Sequence, residues 1–116
     1  MKKIIALVLT LIMAAACLTA CGNSGVQLAD VQKAGKLTIA TSPDFPPFEN
    51  LENGEVVGIE IDIMNLICEK MGVELVIEQM DFDSVVPGIQ AAKFDAGVSG
   101  ITVTEERKAN VDFCDP

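Results

Sequence analysis

Residues 61–80 read IDIMNLICEKMGVELVIEQM, and a change of period inside them decides the fold. Ile61, Met64, Ile67, Cys68 and Met71 recur at helical spacing. Residues three and four apart share one face of an α-helix, so these five predict an amphipathic helix. Gly72 follows as the residue that can take the left-handed turn past a helix end. From Val73 the period drops to two: Val73, Leu75 and Ile77 alternate with Glu74, Val76 and Glu78, predicting a strand through Met80. A helix that hands over directly to such a strand is half of a βαβ unit and needs another strand upstream.

Lys36 to Thr41 supplies it, β-branched and alternating, after a short helix or turn over Leu28 to Ala34 that Gly35 ends. Ser42 to Phe48 holds three prolines, which remove donors and push their predecessors toward extended forms, so it reads as a rigid loop. Asn53-Gly54 marks a tight turn between short extended pieces. Downstream, Asp83 is a candidate cap for a helix running to Lys93, with Pro87 early and Ile89 and Ala92 inward. Asp95 to Ser99 reads as a short buried strand, Thr104 to Ala109 as a helical turn, and Val111 to Phe113 as a last strand. Alternation of this kind predicts an α/β layer, mostly parallel, with right-handed crossovers. Ligands of such sheets gather beyond the carboxyl ends of the strands. Two loops lie there: the Phe45 loop and Gly100 to Thr104.

The amino terminus belongs to a different class. Met1-Lys2-Lys3 is basic, Ile4 to Ala16 is almost purely apolar, and small residues precede Cys21. This is the pattern of a secretory signal peptide. The alternative, a spanning anchor, needs ~20 apolar residues, more than the run provides. Leu18-Thr19-Ala20-Cys21 looks like a bacterial lipobox, which makes Cys21 the lipidated residue and Gly22 to Gly25 its tether. The expected division is therefore 1–20 signal peptide, 21–35 lipidated cysteine and tether, and 36–116 ligand-binding lobe. Losing Lys2 and Lys3 with the signal leaves six basic against seventeen acidic residues, a charge of −11. So acidic a body argues against nucleic acid and against a basic membrane-surface patch. The sequence has no histidine, so no Cys/His metal cluster is expected, and nothing calls for a cofactor. Cys68 reads as core. A Cys68–Cys114 bridge is chemically allowed in an oxidising compartment, though sequence shows no distance.

Thr104 is a plausible helix N-cap, with Glu105 and Glu106 favourably placed in the first turn. Arg107 in that turn has the wrong sign for the helix dipole and needs an anion. A nearby glutamate, forming a weak surface pair, and a ligand carboxylate gripped by two parallel N–H bonds both satisfy it. Gly100 lets an anion approach the backbone. Phe45, held by Pro46-Pro47, could cover an aliphatic ligand or stack on a cation, or simply pack under its loop; Phe48 fits the packing role better. Ser42 adds a polar group at the strand end. No acid–base or nucleophilic set is visible, and no enzyme activity is expected.

The pieces PPFE, GIEID, KFDA and GITVTEER, in this order across residues 36–116, resemble the solute-binding proteins of polar amino acid ABC transporters. The resemblance implies a two-lobed clamp whose first lobe is periplasmic-binding-protein-like, mostly parallel with helices on both faces. Within it, Arg107 would hold the ligand's α-carboxylate, with donors from Thr102 and Gly100. Ser99 would face the α-amine, and Phe45 would stack on the side chain. Ser42 stands where binders of basic amino acids carry aspartate, which weakens lysine or arginine as ligand. The family's chain continues into a second lobe absent here, so 36–116 is expected to be an incomplete first lobe. The implied function is a lipid-anchored receptor on the extracytoplasmic face of the cell membrane, delivering an amino acid to ABC permease subunits. The alternative is a periplasmic enzyme of cyclohexadienyl dehydratase type on the same scaffold.

Overall fold

The computed structural model describes residues 25–115. The expected signal peptide and the expected lipidation site, Cys21, lie outside the described residues. Helix α1 (Leu28–Ala34) ends on Gly35, which takes φ 72°, and strand β1 (Lys36–Thr41) follows. A small antiparallel sheet comes next: β2 (Asp44–Phe45), β3 (Glu49–Glu52) and β4 (Glu55–Val57). Asn53 and Gly54 turn β3 into β4, both at positive φ, as a two-residue hairpin requires. Helix α2 (Ile59–Met71) leads through Gly72 to β5 (Glu74–Gln79), then α3 (Phe82–Gln90), β6 (Ala96–Gly97) and α4 (Glu105–Lys108). The main sheet has the order β5-β1-β6 and is parallel throughout, with Ile39 opposite both Ile77 and Ala96.

Alternation along β1 divides the core between two faces. Leu37 and Ile39 pack with Val31 of α1 and with Ile61, Met64 and Cys68 of α2. Ala40 and its register partner Gly97 belong to the α3 layer, which Val85 fills. A Cβ on Gly97 would stand 2.8 Å from Val85 and 2.5 Å from Ile89. Only glycine lets α3 come this close.

Several expectations change. The residue before α3 is Asp81 rather than Asp83, its side chain makes no capping bond, and the helix stops at Gln90, short of Lys93. The extended backbone at Asp81 lets the helix begin at Phe82, which moves Pro87 into its interior. Ala92 is exposed, and its positive φ takes it out of the helix. Ile67 is exposed, because the inward stripe of α2 runs Ile61, Met64, Cys68. β6 spans two residues; the Asp95 N–H and Val98 N–H still bond Thr38 and Ala40 of β1. Val111 to Phe113 form no strand. The N–H groups of Asn110 and Val111 both go to the Arg107 carbonyl, closing α4 instead of seeking a ladder. Cys68 is buried and Cys114 exposed, and both are free.

Candidate functional site

The carboxyl ends of β1 and β6 bring Ser42 and Ser99 together. The Ser42 N–H donates to Ser99 Oγ at 2.9 Å. That hydroxyl has one proton of its own, and two acceptors compete for it: Glu49 Oε1 at 3.1 Å and the Ser42 carbonyl at 3.4 Å. The shorter bond, to Glu49, is the better placed of the two. Both serines are buried; the Ser99 hydroxyl is bonded within the protein, and Ser42 is held through its backbone N–H and carbonyl.

Glu49 is the residue that sequence reading missed. It is 0% exposed, and its Oε2 has no hydrogen-bond partner. Burial pushes its carboxyl above the ordinary value of 4.5; the negative charge of Glu60 adds to this, the Ser99 bond opposes it, and Asp44 raises it further. In sequence alone, nothing distinguishes the glutamate after PPF from a glutamate that faces water. What buries it is a contact that only the fold makes. Gly58, at φ 138°, lets the start of α2 lie directly on the Phe48 backbone, where a Cβ would stand 2.2 Å from the Phe48 carbonyl oxygen. The N–H groups of Ile59 and Glu60 then donate to the carbonyls of Pro47 and Phe48 at 3.1 and 3.0 Å. This sets Glu60 beside Glu49.

Gly100 sits at the edge of this group. Its N–H is taken by the Glu60 carboxylate, at 3.3 and 3.2 Å to the two oxygens. Phe45 lies over it, the ring 3.2 Å from where a Gly100 Cβ would be. Phe45 is 54% exposed and stacks on Phe48 at 5.4 Å between centroids. Phe48 is itself exposed, so it does not take the packing role expected of it. The two rings form an apolar, electron-rich platform at the rim.

Thr102 and Arg107 form a second group on the same loop. Thr104 caps α4 as expected, its Oγ1 accepting from the Arg107 N–H at 3.2 Å. The Arg107 guanidinium donates to the Thr102 carbonyl at 2.8 Å and lies 5.4 Å over the Phe82 ring. It borders a cavity of about 300 Å³ with Phe82, Val86 and Ile101. The glutamate that it could have paired with, Glu105, bonds Lys108 at 3.1 Å. Arg107 therefore has a fixed orientation and no carboxylate partner among the described residues. The structure thus gathers Ser42, Phe45, Ser99 and Gly100 around Glu49, and holds Arg107 with Thr102 two residues further along. Among the described residues no three-acid or sulfur cluster suits a metal.

A parallel α/β lobe with acids, an aromatic platform and an unpaired arginine at its strand ends defines a binding lobe of periplasmic-binding-protein type. The chain belongs to the bacterial extracellular solute-binding proteins, family 3, whose profile matches residues 37–116. It is 38% identical to the arginine-binding extracellular protein ArtP of Bacillus subtilis, over 90% of this chain and 42% of that one. It is 34% identical to a probable histidine-binding protein of Neisseria gonorrhoeae, over 100% of this chain and 44% of that one. Among solved structures, the arginine-bound form of domain 1 of the Thermotoga maritima arginine-binding protein matches with a TM-score of 0.72 and 43% identity. That match covers 75% of this chain and 70% of the other. The chain thus spans less than half the length of these curated relatives. An extracellular family implies a place outside the cytoplasm, and no helix among the described residues is long and apolar enough to cross a membrane.

Proposed function

We propose that this chain is the ligand-binding lobe of an extracytoplasmic receptor for a cationic amino acid of the arginine type, which delivers its ligand to an ABC permease. The observation that carries this is Glu49: a buried carboxylate with a free oxygen, acidic neighbours and a two-ring platform beside it. A guanidinium or ammonium group would satisfy the orphan oxygen and offset the desolvation of the charge. The absence of an aspartate at Ser42 loses its weight against a basic ligand, because Glu49 supplies an acid from another position. The relatives named for arginine and histidine support the same class, and the domain 1 relative was solved with arginine bound. Arg107 is the anchor for the ligand's α-carboxylate, since its guanidinium is oriented but meets only a carbonyl and a ring. Thr102 borders that end, Ser99 sits against Glu49, and Phe45 covers the side chain. Gly100 borders the site with its N–H held by the Glu60 carboxylate, so it contributes close approach of the backbone rather than a donor. A lipid on Cys21 tethers the receptor to the membrane. Nothing favours the dehydratase: the ancestral relative described as a precursor of cyclohexadienyl dehydratase is itself described as amino-acid-binding.

Calorimetric titration with L-arginine, L-histidine and L-glutamine tests the reading. Arginine is expected to bind most tightly, and Arg107→Ala to weaken it by about 2–5 kcal/mol, roughly thirtyfold or more. Equal affinity for arginine and glutamine would remove the cationic assignment. An unaltered arginine affinity in Arg107→Ala would remove the carboxylate anchor.

A further inference from the structure

Glu60 carries a contact that the binding reading does not use. It lies forty residues from Gly100, yet both of its carboxylate oxygens accept from that one N–H. Its own N–H is fixed on the Phe48 carbonyl, and Gly58 locks the segment against Phe48 from beneath. It is therefore a rigid brace between the β2–β3 loop and the loop after β6. Gly100 also ties it to Glu49: the N–H that Glu60 accepts belongs to the residue whose Cβ position lies 4.0 Å from Glu49 Oε1. Two carboxylates cannot bond each other unless one holds a proton, and the orphan Glu49 Oε2 is the atom left without a donor when neither does. The charged groups bearing on Glu49 are Glu60 from α2 and Asp44 from β2, both acidic; Ser99 donates its hydroxyl, and no lysine or arginine among the described residues contributes.

We propose that Glu60 is a positioning residue that braces the Gly100 loop and, by sharing one proton with Glu49 in the empty lobe, makes the entry of a cationic side chain proton-coupled. The inference rests on the cationic reading of the site. Without ligand, and below the raised Glu49 value, a single proton lies between the two acids and supplies the missing donor. When a guanidinium or ammonium group arrives, it takes over that role. The proton leaves to solvent, Glu49 is left as a carboxylate beside the cation, and Glu60 keeps its hold on Gly100. The charge in the pocket is conserved, one proton out for one cation in. The rise in the Glu49 carboxyl caused by burial and by Glu60 is in the direction this exchange needs. A neutral ligand displaces no proton. The pair thus selects for charge, and ties affinity to the pH outside the cell.

The experiment is calorimetry of L-arginine and L-glutamine binding to the full chain from pH 4.5 to pH 8, in buffers of different ionisation enthalpy, which counts protons. Wild type should release up to one proton per arginine at the acidic end and progressively fewer as pH rises, with affinity falling by at most tenfold per unit on acidification. Glu60→Gln keeps an acceptor for Gly100 but removes the charge, so proton release should move to lower pH while glutamine affinity holds. Glu60→Ala loses the brace as well and should weaken both ligands. Arginine binding without proton release overturns the coupling and leaves the cationic reading standing. Wild-type glutamine affinity in Glu60→Ala overturns the brace. If arginine fails to bind, the cationic reading fails and takes the exchange with it. Carbon-13 titration of the glutamate carboxyls in the ligand-free chain then judges the pair alone: Glu49 should titrate lower in Glu60→Gln, and an unmoved Glu49 shows that no proton is shared.

Discussion

On the cationic reading, Glu49 places stability and binding in opposition. In the folded lobe its carboxyl holds a proton more tightly than in the unfolded chain, where the ordinary value is 4.5. The stability this contributes is present in acid and is lost as pH rises from about 4.5 through the raised value. Once ionised, the group is a charge buried beside Glu60 and Asp44 with one oxygen unpaired, and it destabilises the empty lobe. Glu49→Gln should therefore raise the melting temperature at pH 7, leave it nearly unchanged at pH 4, and weaken arginine by about 2–5 kcal/mol. Circular dichroism at the two pH values, paired with calorimetry, reads both effects. A mutant that melts earlier at pH 7 would mean that the charge is already compensated. At this scale the sequence was only partly legible. Arg107 stood out because its sign was wrong for its turn, and Phe45 because prolines fixed it. Glu49 did not, because its burial depends on Gly58 and on a serine fifty residues away.

Elements were read more fully than residues. The change of period after Gly72 predicted α2 and β5 to within two residues, because each buries one face and shows the other to water. α1 and β1 came out at the expected bounds. Failures cluster where an element depends on a partner: Val111 to Phe113 has the composition of a strand and no neighbouring ladder. The β2–β3–β4 sheet was legible only through its Asn53-Gly54 turn, its strands being too short for a clear alternation. Its junction with α2 gives a sharp comparison. Gly54 and Gly58 both have positive φ, at 90° and 138°. A Cβ on Gly54 would meet nothing within 4 Å, whereas one on Gly58 would meet the Phe48 carbonyl at 2.2 Å. Gly54→Ala should cost about 1–2 kcal/mol, for the conformation alone. Gly58→Ala should cost about 2–4 kcal/mol and also weaken ligand, because it lifts Glu60 away from Glu49 and Gly100. Urea unfolding of both variants separates these terms; equal losses would mean that the α2 junction tolerates displacement.

For the whole molecule the relevant quantity is the field of its charges. The formal charge is −9 at pH 7, and acids dominate both the site and the surface around it. By Coulomb's law, nine charges at about 20 Å in water attract a single cation by roughly 2 kcal/mol before screening. The Debye length shrinks from about 30 Å at 0.01 M salt to about 8 Å at 0.15 M, so the screened remainder falls from about 1 to about 0.2 kcal/mol. Arginine affinity should then drop about fourfold across that range, while glutamine, with no net charge, should hold steady. The contact with Glu49 contributes little to this slope, because a buried pair is screened much less than an exposed one. The slope and the contact are therefore separable. Glu49→Gln should lower arginine affinity at every salt concentration by a similar factor and leave the salt dependence nearly intact. If instead the dependence disappears with Glu49, the attraction is local to the site and the acidic surface serves only solubility.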